Sequence, residues 1–300
     1  MDGFLIVFKP PGWTSHDIVQ YVRKKYRIKK VGHLGTLDPG ACGVLPLALG
    51  KATKLSQYIL SQDKTYRFEL TLGISTDTLD AQGEIIAESE FTDEHIDQLI
   101  QNYQKYVGTI QQVPPMHSAI KQGGKKLYEL ARKGEQVERP TREVTLYSLN
   151  LIDKYNYEQR PRLLFEVECS KGTYIRTLAK DLAELTDCRE GYMSFLIRKQ
   201  TSSFDLNQST AVNRLPESKS ELANKVYSLD FPLNELSAVK LDNKQQINRI
   251  SNGNFIQTSY TGTEGKLYRV YDCTYENDGI FIGIGKMVSD NTMKPEKILL

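Results

Sequence analysis

The chain opens on an unbroken apolar run, Phe4-Leu5-Ile6-Val7-Phe8, which reads as a buried strand ended by Lys9-Pro10-Pro11-Gly12. Thr14 and Ser15 then offer caps for a helix from about His16 to Tyr26. From Lys64 to Gly73 apolar and polar residues alternate, as they do along a half-buried strand, and Leu163 to Cys169 alternates in the same way. Phe91 to Val107 reads as a helix begun by Thr92-Asp93-Glu94, whose acids suit a helix N-terminus. Ser170-Lys171-Gly172 turns out of the second alternating strand, and a second helix opens at Thr173. After Val212 the pattern changes. Residues 216–225 are polar and read as a helix or a linker approach, and Phe231-Pro232 marks a boundary. Roughly the last sixty residues hold short strands with glycine turns, at 254–257, 268–271 and 279–285, which suggests a small β-rich module.

Composition narrows this picture. A length of 300 residues favours one large domain and a small one, and 39% apolar residues suffice for a real core. The net charge is only +2, so any site for a polyanion must be a local patch. Cys42, Cys169, Cys188 and Cys273 lie far apart, without a Cys-x-x-Cys or His-x-x-x-His pair, so a zinc site is not expected. Free thiols suit a reducing cytoplasm. Met1-Asp2-Gly3 lacks the basic start of a signal peptide, and no apolar run reaches the roughly 18 residues of a membrane helix. The expectation is a soluble cytoplasmic protein.

The most informative stretch runs from Lys30 to Leu55. It holds one acid, Asp38, in Gly35-Thr36-Leu37-Asp38-Pro39-Gly40. Pro39 fixes its own φ and pushes Asp38 out of the helical region. Pro-Gly suits the centre of a type II turn, with Gly40 at positive φ. Such a corner presents one carboxylate beside apolar Leu37 and the run Val44-Leu45-Pro46-Leu47-Ala48-Leu49. An ordinary β-turn uses the same residues, and His33 reads equally as a satisfied turn histidine. A phosphate loop is rejected: the spacing from Gly43 to Gly50-Lys51 is wrong, and Ala52 stands where a hydroxyl should hold magnesium.

Other stretches carry candidate chemistry. Six of the eight residues from Arg23 to Lys30 are basic, a helix end in solvent or a phosphate-contacting patch ahead of His33. Tyr66 on its strand reads as core packing on pattern alone. Lys121, Lys125, Lys126, Arg132, Lys133, Arg139 and Arg142 make a basic arm, which Glu129, Glu135, Glu138 and Glu143 dilute. Arg176 lies on the first turn of its helix, where the dipole disfavours a cation, so a buried anionic partner is expected.

Gly35-Thr36-Leu37-Asp38-Pro39 resembles the G-x-L-D-P motif of the pseudouridine synthases. The flanking Gly32-His33 and Gly43-Val44-Leu45-Pro46 resemble the bacterial tRNA pseudouridine synthase B (TruB) branch. Lys9-Pro10-x-Gly12-x-Thr14-Ser15 is similar to that family's first motif, which supports the active-site strand. Lys64-Thr65-Tyr66 is similar to its K-x-Y motif, and Gly172-Thr173-Tyr174-Ile175-Arg176-Thr177 to the motif that brings an arginine to the catalytic aspartate. Pro115-Met116-x-Ser118-Ala119-x-Lys121 through Arg132-x-Gly134 is similar to an RNA-gripping thumb, and Leu196-Ile197-Arg198 to a strand flanking the base pocket. Thr201-Ser202-Ser203-Phe204 departs from the family's usual glycine. The resemblance covers residues 1 to about 210 well and the remainder loosely.

The resemblance implies an α+β pseudouridine synthase fold, a central mixed and mostly antiparallel sheet flanked by helices. It implies a catalytic domain over residues 1–234, a thumb at about 116–142, and a PUA-like RNA-binding domain over 235–300. It further implies isomerisation of the T-loop uridine 55 of tRNA by base flipping, with Asp38, Tyr66 and Arg176 catalytic. His33, Tyr66, Tyr174, Leu196, Lys125 and Lys126 would bind the substrate. No cofactor or metal is expected. The expected partner is the tRNA T-arm stem-loop, with no membrane, no protein partner and a monomeric chain. A non-catalytic RNA-binding or RNA-folding protein would show the same basic patches without needing Asp38, Tyr66 and Arg176 together. A synthase acting on another RNA is a further alternative; the guide-RNA-dependent relatives lack the thumb insertion, so Met116 to Arg142 favours the stand-alone bacterial enzyme. A glycosidase would need a second carboxylate, and none stands out in the sequence.

Overall fold

In the computed structural model the opening apolar run forms β1 (Gly3–Lys9), and its lack of alternation has a plain cause: both of its faces are covered. Leu5 and Val7 pack with Val19 and Val22 of α1 (Ser15–Lys25), while Phe4 and Ile6 pack with Ile59 and Phe204 on the other side. The structure describes residues 1–116, 121–122, 125–127, 137–274 and 279–299, with the backbone alone at 121, 122, 125 and 126. Most of the expected thumb, Arg132 and Gly134 included, therefore lies outside the described residues.

A central sheet organises the first part of the chain. Beside β1 lies β3 (Cys42–Leu49), which also pairs with the short β2 (Val31–His33). Next come β12 (Gly191–Thr201), β4 (Lys64–Leu72), β11 (Arg160–Cys169), β10 (Arg142–Tyr157) and β7 (Gly108–Gln112). These pairings are antiparallel except that between β3 and β12, where Arg198 lies opposite Gly43. The sheet is thus mixed and mostly antiparallel, as expected. On one face α4 (Ile175–Ala183) buries Leu178 and Leu182 against Phe68, Leu70 and Phe165. Helix α3 (Asp93–Asn102) adds Leu99 to the same cluster. It ends earlier than the sequence pattern suggested, in a 3-10 turn over Tyr103–Tyr106.

A second sheet, of five strands, occupies the C-terminal part: Ala238–Leu241, Leu267–Asp272, Ile280–Ser289, Thr292–Ile298 and Ile256–Gln257, in that spatial order. A helix at Lys244–Ser251 closes it through Ile247 and Ile250. Leu233, Ile284 and Leu299 share a cluster with Phe4, Ile6 and Ile59, so the small sheet and the large one meet through apolar side chains. Among the described residues no helix is long and apolar enough to cross a membrane.

Candidate active site

The loop between β2 and β3 carries Asp38, and the end of β1 and the start of α1 hold it. The Lys9 side chain is fully buried, and its Nζ donates to the carbonyls of Pro10 (3.0 Å), Trp13 (2.6 Å) and Pro39 (3.2 Å). Burial pushes this lysine down to about 8. Ser15 Oγ donates to Leu37 O (3.1 Å) and accepts from Leu37 N (2.9 Å). The Lys9 to Ser15 segment thus supports the loop, where the motif had implied support of the active-site strand.

The turn itself differs from expectation in one respect. Ala41 N donates to Asp38 O at 3.1 Å, so Pro39 and Gly40 are its central residues. Gly40, however, is not among the glycines at positive φ, so the turn belongs to type I rather than type II. Space does not demand the glycine either: a Cβ on Gly40 would lie 3.2 Å from Cδ of the exposed Gln82 side chain, which can move aside.

Arg176 comes to this corner from the first turn of α4, 138 residues further on. Its Nε lies 3.0 Å from Asp38 Oδ2, and its Nη2 donates to Asp38 Oδ1 at 3.3 Å. The two contacts form a fork-like pair of the kind a guanidinium makes best. Arg176 is 5% exposed, whereas the Asp38 side chain keeps 33% of its surface open. Burial raises the Asp38 carboxyl above its ordinary value, and the Arg176 guanidinium pulls it partly back.

The acid is not alone. Asp80 Oδ2 lies 3.8 Å from Arg176 Nε, and Arg176 Nη1 donates to Thr78 O at 3.1 Å. Sequence reasoning missed this second carboxylate. The polar run Thr76-Asp77-Thr78-Leu79-Asp80-Ala81-Gln82-Gly83 was its only signal, and it looks like an ordinary turn. Asp80 accepts from Thr78 Oγ1 (2.7 Å) and Gln82 N (3.0 Å), so it builds its own loop as well as facing the arginine. The expectation that no second acid stands by the site is therefore corrected. Both acids share one guanidinium rather than facing each other across open space, as the two carboxylates of a glycosidase do.

The remaining expected residues fall into two groups. Tyr66 (8% exposed) and Leu196 (6%) lie in one apolar cluster with Leu37, Ala41 and Ile175, which makes an apolar wall beside Asp38. Tyr174 caps α4 and exchanges hydrogen bonds with Gln112: Tyr174 N donates to Oε1 (3.0 Å), and Gln112 Nε2 donates to Tyr174 O (3.3 Å). His33 ends β2 half-buried, and its Nδ1 has no hydrogen-bond partner among the described residues. Burial and the Arg198 charge lower its pKa and favour the neutral ring. The backbones of Lys125 and Lys126 pair with Lys121 and Gln122, but their side chains lie outside the described residues.

The chain is similar to known proteins along nearly its whole length. A family model described as "TruB family pseudouridylate synthase (N terminal domain)" matches residues 23–175. One described as "Pseudouridine synthase II TruB, C-terminal" matches residues 237–299. The chain is 45% identical to the tRNA pseudouridine synthase B of Caldanaerobacter subterraneus subsp. tengcongensis, across 99% of both chains. It is 39% identical to that of Clostridium perfringens, across 100% of this chain and 99% of the relative. Among solved structures, the fold resembles a chain in a crystal structure of a Cbf5-Nop10-Gar1 complex. There the TM-score is 0.72 and the identity 23%, over 99% of this chain and 85% of that one.

Proposed function

The chain belongs to the TruB family of pseudouridine synthases, and from that premise we propose that it isomerises the T-loop uridine 55 of tRNA, with an ionised Asp38 acting at the ribose. The observation that carries the reading is the fork between Arg176 and Asp38, at 3.0 and 3.3 Å, beside the apolar cluster that holds Tyr66 and Leu196. The reaction breaks the bond from C1′ to N1, turns the uracil, and joins C5 to C1′. Atoms and electrons are conserved, so the chemistry calls for no redox partner.

The target base must leave its stack, at a cost of a few kcal/mol. Tyr66 offers the everted uracil an aromatic face, worth about 1–3 kcal/mol, and Leu196 and Tyr174 line its sides. His33, neutral and with a spare ring nitrogen, fills the gap the base leaves. The exposed cations Arg23, Lys24, Arg27, Lys29 and Lys30 lead up to His33 and suit the phosphates of the stem. Lys125 and Lys126 extend the grip as part of the thumb at 116–142. We read residues 1–234 as the catalytic unit and 235–300 as a PUA-like RNA-binding unit of a monomeric, cytoplasmic enzyme.

The test is made in the cell. Uridines of tRNA are mapped for pseudouridine in a strain lacking this protein. The expected result is loss of the modification at the T-loop site, restored by the parent gene. An unchanged T-loop, with loss at a site in some other RNA, would transfer the activity to that RNA.

A further inference from the structure

Arg198 is 1% exposed, and among the described residues no carboxylate pairs with it. Carbonyl oxygens take most of its donors: Nε donates to Val44 O (2.8 Å), Nη2 to Gly35 O (3.1 Å) and Nη1 to Thr36 O (3.4 Å). All three carbonyls flank the turn that presents Asp38. A buried cation held by dipoles alone is costly, so the fold has to gain something from its charge. Among the described residues, the neighbour of Arg198 able to carry negative charge is the phenol of Tyr66, and the two groups favour each other's charged forms. Strand register sets that contact, because Arg198 on β12 lies directly opposite Tyr66 on β4. Register also explains Gly43: on the parallel side of β12 a Cβ there would collide with the Arg198 backbone.

We propose that Arg198 is a positioning residue for the reaction: it locks the Asp38 loop to Tyr66 and is the counter-ion of the Tyr66 phenolate when that oxygen takes the C5 proton. The inference rests on the reading of Tyr66 as the residue beside the everted uracil. Once C5 has joined C1′, the C5–H bond breaks and its electron pair restores the C5–C6 double bond. The π pair between C6 and N1 returns to N1. The phenolate oxygen receives the proton and passes it through water to N1, which returns Tyr66 to its starting state. Burial holds the Tyr66 phenol above its ordinary value, and Arg198 opposes that rise. A guanidinium on the neighbouring strand, opposite Tyr66, therefore favours the form the step needs.

The test is a double-mutant cycle on single-turnover rates with a T-arm stem-loop. Arg198→Met is measured in the parent and in a Tyr66→Phe background, at RNA concentrations that saturate each variant. The loss in the parent should be about 10- to 100-fold, the weight of one hydrogen bond to a charged group. In the Tyr66→Phe background the same change should cost less than about threefold. Equal losses in both backgrounds would reduce Arg198 to a loop support and overturn the inference. Arg198→Lys is the second variant, for the case in which Arg198→Met does not fold. With 3-fluorotyrosine at position 66, its fluorine signal should titrate about one pH unit higher than in the parent. An unmoved titration overturns the inference equally. A parent protein that forms no pseudouridine at all would instead contradict the functional reading.

Discussion

Asp38→Asn should abolish pseudouridine formation while leaving the protein folded. Asparagine keeps the shape of the side chain but cannot ionise, so the single-turnover rate should fall by more than about 1,000-fold, ~4 kcal/mol of transition-state stabilisation. Stability should change by no more than about 1 kcal/mol. Arg176 keeps two partners in the variant, since Asp80 Oδ2 lies 3.8 Å away and Thr78 O accepts its Nη1 at 3.1 Å. The sign of the Asp38 shift supports this tolerance. Burial raises the carboxyl in the folded state, so folding binds a proton between its ordinary and its raised value. Above that window the ionised group costs stability, and removing it offsets part of the lost ion pair. In the parent, the rate should fall in acid as Asp38 takes its proton, at a pH above the ordinary carboxylate range. Urea melts together with rates across pH separate these effects. A variant that unfolds, or one that turns over within tenfold of the parent, would contradict them.

Arg176→Met should do the reverse and damage the fold as well as the rate. It removes the one guanidinium that faces both Asp38 and Asp80, in a place where its own side chain is only 5% exposed. Two carboxylates are then left beside each other with only the more distant charge of Lys9 to oppose them at Asp38. Breaking a buried pair on one side costs about 3–5 kcal/mol. The lower end, about 3 kcal/mol, is expected here because Asp38 keeps 33% of its side-chain surface open. With that cation gone, the Asp38 carboxyl is held further up in the folded state, so the deficit against the parent should shrink as pH falls and it protonates. Adding Asp38→Asn to Arg176→Met should recover part of the loss. Urea denaturation at neutral and acid pH measures all three proteins. A deficit below about 1 kcal/mol, or one that ignores pH, would show that the arginine does not carry the two charges.

Sequence marks Asp38 and Arg176 separately: a proline corner presents an acid, and a cation on the first turn of a helix opposes the dipole and calls for an anionic partner. Their pairing came from the family resemblance, and the structure brings them together. Asp80 carries no such mark. Its loop closes with Leu79 at positive φ and side-chain bonds to Thr78 and Gln82, details that only folded geometry reveals. Arg198 was legible as part of a strand, but a buried guanidinium reads like any basic residue until its three carbonyl partners are known. Strand β10 escaped because register shifts after Leu146 and Leu151 break its alternation. The turn that follows places Glu158 and Gln159 at positive φ without the glycine or asparagine that would announce it. Gly40 was expected at positive φ and is not there, because the turn closes without it.

A structure of the Asp38→Asn protein with an unmodified T-arm stem-loop tests the central claim most directly. The account predicts the target uridine everted at the Asp38 corner, its base against the Tyr66 ring, and the residue 38 side chain within about 3–3.5 Å of the reacting ribose atoms. A uridine still stacked in its loop, or a ribose held away from that side chain by Arg176, would contradict it.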